Sequence, residues 1–205
     1  MRGLFIVIEG CDRSGKSTQC ERLLQRFRDQ GRDAQLIKFP DRTIQSGQLI
    51  DGYLKQSRHL HDKAIHLFFS ANRWEAMDAI AAKLKAGTTL VVDRYAFSGV
   101  AFSAAKGLDL EWCKNPDKGL LIPDKVLFLD LPIEKAEQRG GFGEERYETR
   151  ELQTKVRDIF MQLKEDSWKI IDADQTMEAV QEEMWNTVKE LKPDSEEPRT
   201  GLWEQ

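Results

Sequence analysis

Residues 4–17, Leu4-Phe5-Ile6-Val7-Ile8-Glu9-Gly10-Cys11-Asp12-Arg13-Ser14-Gly15-Lys16-Ser17, decide the fold. Leu4 to Ile8 is a short apolar run rich in β-branched residues, suited to a buried strand. Gly10 to Ser17 matches GxxxxGK[ST], and helical spacing follows as far as Asp29. Strand, glycine loop and helix in that order form the cradle that holds the phosphates of a nucleoside triphosphate. The two glycines permit backbone angles closed to other residues, so successive N–H groups converge on one anion at the positive end of a helix. Lys16 adds a point charge at the β and γ phosphates, and the Ser17 hydroxyl suits the magnesium ion that accompanies them.

Outward from this stretch, apolar runs recur at 34–39, 88–92, 126–131 and 168–171. Helical spacing covers about 15–29, 61–85, 132–139, 150–165 and 176–191. Five strands alternating with helices predict an α/β fold in three layers, a five-stranded parallel sheet with helices on both faces. The length of 205 residues suits one domain. Residues 139–150, Arg-Gly-Gly-Phe-Gly-Glu-Glu-Arg-Tyr-Glu-Thr-Arg, mix glycine with arginine and predict a flap over about 137–150 that closes on phosphates. Residues 192–205 read as a polar tail, with Leu202 and Trp203 able to tuck back onto the body.

A net charge of −4, from 31 basic and 35 acidic residues, argues against a nucleic-acid partner held by a general positive field. No apolar stretch approaches the ~20 residues needed to span a bilayer, so no membrane is expected. The sequence as read enters its first strand at once, so no signal segment is expected. Three scattered cysteines, Cys11, Cys20 and Cys113, do not make a disulfide framework. A soluble cytoplasmic protein is expected, with nuclear or mitochondrial pools allowed.

In parallel sheets ligands gather at the carboxyl ends of the strands, which directs attention to Glu9 to Ser17, Pro40-Asp41-Arg42, Asp93-Arg94-Tyr95 and Asp172-Ala173-Asp174. Arg13 reads either as a cation beside the transferring phosphoryl group or as a solvated loop charge. Asp93 reads as the acid near the magnesium shell, acting through water, or as a helix cap. Arg42 and Arg94 follow strand ends and suit an anion. Phe69 and Arg73 share a helix face at i, i+4, offering a ring to stack on a base and a guanidinium for its edge, or else a core ring and a surface charge. His59, His61 and His66 lack a metal-ligand spacing, and phosphoryl transfer has no use for the Cys11 thiol.

With these residues in view, Phe39-Pro40-Asp41-Arg42, Phe68 to Glu75, Asp93 to Phe102 and Arg146-Tyr147-Glu148 resemble the eukaryotic and poxvirus-type thymidylate kinases. The resemblance runs from residue 3 to Gly201-Leu202-Trp203. It implies a P-loop nucleoside monophosphate kinase fold that phosphorylates dTMP to dTDP with MgATP, in dTTP synthesis, as a homodimer packed through helices. It places thymine on Phe69, its edge on Arg73 and the monophosphate on Arg42 and Arg94. Asp12, Phe39, Pro40, Leu54, Ser98, Gly99, Phe102 and Tyr147 line the same pocket, Tyr147 crowding the space of a ribose 2′-hydroxyl. ATP falls to Gly10, Asp12, Arg13, Ser14, Gly15, Lys16, Ser17 and Thr18, with adenine near Arg139 and the loop after Ile171. Arg13, Lys16, Asp93 and Arg94 are the implied catalytic residues, and Ser17 and Asp93 the metal partners.

One departure is Asp41, where the family usually has glutamate. The nearest rival, a deoxynucleoside kinase, typically carries acidic-arginine-serine where this chain has Asp93-Arg94-Tyr95. A non-catalytic P-loop switch of the GTPase kind needs an Asn-Lys-x-Asp motif, which the sequence lacks.

Overall fold

In β1 (Phe5–Glu9) Phe5 and Val7 pack into one apolar core while Ile6 and Ile8 pack into another. The same alternation holds in β3 (Thr89–Asp93) and β4 (Lys125–Asp130), where Leu90, Val92, Val126 and Phe128 face one way and Val91, Leu127 and Leu129 the other. Strands covered on both faces must be apolar on both, which is why they appear in the sequence as unbroken runs. The computed structural model describes residues 1–140 and 142–204.

Together with β2 (Ala34–Lys38) and β5 (Trp168–Asp172) these strands form one parallel sheet in the order β2-β3-β1-β4-β5. Helices α1 (Lys16–Asp29) and α9 (Met177–Val188) cover one face. The other face carries α2 (Gln45–Leu54), α3 (Asp62–Trp74), α4 (Met77–Lys85), α5 (Ala96–Ala105), α6 (Leu110–Lys114) and α8 (Arg150–Leu163). A short α7 (Ile133–Glu137) follows β4. The chain leaves β1 in one direction along the sheet and leaves β3 and β4 in the other, so a crevice opens at the carboxyl end of β1.

The five expected strands are present with ends shifted by about a residue. The helices depart further from the sequence reading. The stretch 61–85 is two helices, α3 and α4, with no proline or glycine at the break between them. Helices α2, α5 and α6 were not expected. Helix α5, Ala-Phe-Ser-Gly-Val-Ala-Phe-Ser-Ala-Ala, is buried on nearly every side, so it has no polar face to produce a periodic signal. Helix α2 contains Gly47 and Gly52, which lower helix propensity.

Candidate active site

Strand register brings the first group of polar residues together. Lys38 pairs with Asp93, and Asp93 with Ile8, so the ends of β2, β3 and β1 lie side by side under the loop Gly10–Ser17. In that loop Gly10 and Gly15 take φ of 151° and 91°, which lets the backbone curl around a central space. Helix α1 begins there with no side-chain cap and no acid in its first turn, as an anion site requires. The Lys16 ammonium curls back to donate to the Cys11 carbonyl at 2.6 Å and lies 3.3 Å from Ser14 Oγ. Burial, with the nearby Arg94 charge second, lowers its pKa to about 8.

Ser17 Oγ donates to Asp93 Oδ2 at 2.7 Å, and Lys38 Nζ lies 3.8 Å from the same oxygen. Asp93 Oδ1 is buried and has no hydrogen-bond partner. A hydroxyl and an under-satisfied carboxylate are the hard oxygen donors that suit magnesium or its water shell. Among the described residues no cluster of three or more His, Cys, Asp or Glu forms a metal site made by the protein alone.

Arg94 has a left-handed backbone, φ 69°, and its guanidinium binds Asp12, the Gly10 carbonyl at 3.1 Å and Ser98 Oγ at 3.0 Å. It lies 5.2 Å from the Phe102 ring centroid. Beneath it the buried Glu9 carboxylate accepts from the backbone N–H groups of Tyr95 and Ser98 at 2.8 and 3.1 Å and from the Ser98 hydroxyl at 2.5 Å. Glu9 thus caps α5 from the end of β1. Burial raises its pKa, opposed chiefly by Arg94.

At the far end of the crevice Arg73 is buried in a two-point pair with Asp117, Nε to Oδ1 at 3.1 Å and an NH2 nitrogen to Oδ2 at 2.5 Å. Its guanidinium comes so close to α5 that a Cβ on Gly99 would sit 2.7 Å from it. Phe69 lies one turn before Arg73. Tyr147 closes the side wall, its ring centroid 5.3 Å from that of Phe102.

The segment predicted as a flap folds over the loop, though Gly141 within it lies outside the described residues. Arg13, at φ 61°, binds Glu148 through Nε at 2.8 Å and the Gly140 carbonyl at 3.1 Å. Glu148 Oε2 also accepts from the N–H groups of Gly143, Glu144 and Glu145. Arg42 bridges Asp51 at 2.7 Å and Glu145 at 2.9 Å, and Arg139 donates to the Arg13 carbonyl at 2.6 Å. Asp41 instead binds the Thr43 N–H and hydroxyl, so its shorter arm does not support Arg42 directly.

One cleft of about 710 Å³ joins these groups, and every residue expected at the site lines it except Gly10, whose carbonyl points to Arg94. From the segment after Ile171, Ala173, Gln175, Met177 and Val180 line the same cleft as Arg139. Sequence reasoning gave no role to Glu9, Lys38, Asp117, Glu145, Glu148 or Gln153. Gln153 holds the loop by accepting from Asp12 N at 2.8 Å and donating to Asp12 Oδ2 at 2.6 Å. The acid ending a wholly apolar strand is a signal for Glu9. Nothing in the sequence links Asp117 to Arg73, 44 residues away.

The family model described as thymidylate kinase matches residues 8–184. The chain is 52% identical to the thymidylate kinase of Arabidopsis thaliana over 98% of this chain and 78% of that one. It is 46% identical to that of Homo sapiens over 98% of both. A solved thymidylate kinase structure from Candida albicans superposes with a TM-score of 0.89 at 38% identity, covering 98% of this chain and 99% of that one.

Proposed function

The chain belongs to the thymidylate kinase family, and from that premise we propose how its cleft carries out the family's reaction. The enzyme transfers a phosphoryl group from ATP to dTMP, giving ADP and dTDP. One observation carries the site assignment. A single cleft runs from the phosphate loop to the Phe69–Arg73 pocket, with Asp93, Arg94 and Asp12 between the two ends. Donor and acceptor polyanions laid end to end in it would meet at Arg13, Lys16 and Arg94.

The acceptor oxygen of dTMP is already ionised at neutral pH, so the site needs no strong base, and the labour falls on positioning and charge. Lys16 and Arg94 neutralise the groups that approach each other, and Arg13 leaves Glu148 to face the transferring phosphoryl. Ser17 Oγ, and Asp93 through water, would hold magnesium, which would supply charge neutralisation to the triphosphate. Arg42 holds the monophosphate, Phe69 stacks on thymine and Arg73 bonds its edge. Residues 137–150 act as the flap, with Glu148 as its inner anchor.

The polar tail, 192–205, docks rather than hangs free: Leu202 is buried against the body and pairs with Leu120 through its backbone N–H at 3.0 Å. Gln205 lies outside the described residues. Leu67 and Trp74, at i, i+7 on α3, are 48% and 43% exposed and offer an apolar stripe for a homodimer packed through helices, which sedimentation would detect. Among the described residues no helix is long and apolar enough to cross a membrane. The three free, buried cysteines fit a reducing, cytoplasmic setting with nuclear or mitochondrial pools.

An ADP-release assay across dTMP, dUMP, dCMP, AMP, dGMP and thymidine tests the reading. Strong turnover is expected with dTMP. Turnover with thymidine and none with dTMP would overturn it in favour of a deoxynucleoside kinase.

A further inference from the structure

His66 and Ser103 form a hydrogen-bonded pair behind the nucleobase end of the cleft, and the roles above leave it unused. His66 sits on α3 two turns before Arg73 and is fully buried. Its Nε2 lies 2.8 Å from the Cys113 carbonyl oxygen and its Nδ1 2.8 Å from Ser103 Oγ. A carbonyl oxygen can only accept, so Nε2 carries the proton. Burial first, and the Arg73 charge second, hold the imidazole below its usual pKa, so the ring is neutral and Nδ1 bears a lone pair. The Ser103 hydroxyl proton is therefore committed to Nδ1. Ser103 lines the cleft, and with its proton so held its hydroxyl has only lone pairs left to offer there.

Ser103 stands one helical turn beyond Gly99 on α5, and Gly99 is where the Arg73 guanidinium comes into closest approach. Arg73 has donors only. The pocket wall thus presents a donor at Arg73 and an acceptor at Ser103. Thymine and uracil offer the complement, a carbonyl O4 beside an N3–H. Cytosine offers the inverse, an amino group beside a bare N3. We propose that Ser103, its hydroxyl oriented by His66, is a specificity-determining residue that accepts the N3–H of the base and disfavours cytosine. This rests on thymine lying between Phe69 and Arg73.

The test is kcat/KM for dTMP, dUMP and dCMP in purified variants, each checked by thermal unfolding. Ser103→Ala should lower dTMP and dUMP about tenfold together, chiefly through KM, and narrow the dTMP:dCMP ratio by a similar factor. Ser103→Thr, which keeps the hydroxyl, should restore both. His66→Leu frees the hydroxyl to rotate and donate, and should also narrow the ratio. If Ser103→Ala does not fold, Ser103→Cys, similar in volume and a weak acceptor, replaces it. An equal loss on all three nucleotides, or an unchanged ratio, overturns the assignment. Arg73→Ala separates the two readings. If it weakens dTMP binding while the Ser103 ratio holds, only this inference fails. If it leaves dTMP affinity intact, the placement of the base fails, and this inference with it.

Discussion

Asp117→Asn removes one charge from a place that water does not reach. Arg73 and Asp117 meet at two points, at 3.1 and 2.5 Å, and their side chains are 3% and 0% exposed. Asparagine keeps one acceptor and turns an amino group toward the guanidinium, so one hydrogen bond is lost and a buried cation is left uncompensated. Breaking such a pair costs roughly 3–5 kcal/mol, and the retained bond puts this variant at the lower end. In a chain of this size that corresponds to a fall in Tm of about 6–12 °C. Arg73 also loses the fork that aims it, so the Kd for dTMP by calorimetry should rise about tenfold or more. The double variant Arg73→Met/Asp117→Leu separates these effects. Replacing both charges by apolar groups should recover most of the lost Tm, because the desolvation cost disappears with the charges, while dTMP binding stays weak. A Tm within about 2 °C of the parent for Asp117→Asn, or unchanged dTMP affinity, would refute the reasoning.

Four further outcomes are expected. Arg13→Ala should lower kcat on the order of 10³-fold with little change in the KM for dTMP, and a loss in binding without loss of turnover would remove its catalytic role. With the Lys16 pKa lowered to about 8 in the free enzyme, the cation is lost as pH rises through that value. The kcat/KM for ATP should therefore fall above about pH 8, while kcat holds to higher pH because bound phosphates retain the proton; a flat kcat/KM profile would contradict this. Glu148→Gln should weaken the hold on Arg13 and on the flap amides of Gly143, Glu144 and Glu145, seen as faster hydrogen exchange there, and unaltered protection would count against the anchor. Gly99→Ala places a Cβ 2.7 Å from a guanidinium that Asp117 holds in place, so the KM for dTMP should rise several-fold; an unchanged KM would show that Arg73 yields freely.

The departures from the sequence reading share a cause. Helix α5 escaped notice because burial on every side erases the contrast between faces on which periodicity depends. The break between α3 and α4 escaped because no residue there forbids a helix locally. Glu9 and Gln153 act by reaching across to Ser98 and Asp12, contacts of 89 and 141 residues in sequence separation, which no local pattern encodes.

The sequence alone determined that the chain binds a nucleoside triphosphate on a parallel sheet, because a glycine loop between strand and helix is a local device: its function follows from backbone angles and one lysine within eight consecutive residues. It also marked the arginines at strand ends and the Phe69–Arg73 face. Tertiary structure decided how those cations are held: Arg13 by Glu148, Arg42 by Asp51 and Glu145, Arg73 by Asp117, Arg94 by Asp12. It also decided that the Ser103 hydroxyl meets Nδ1 of the buried His66. Charge and hydrogen-bond polarity belong to pairs, and only folding selects the partner.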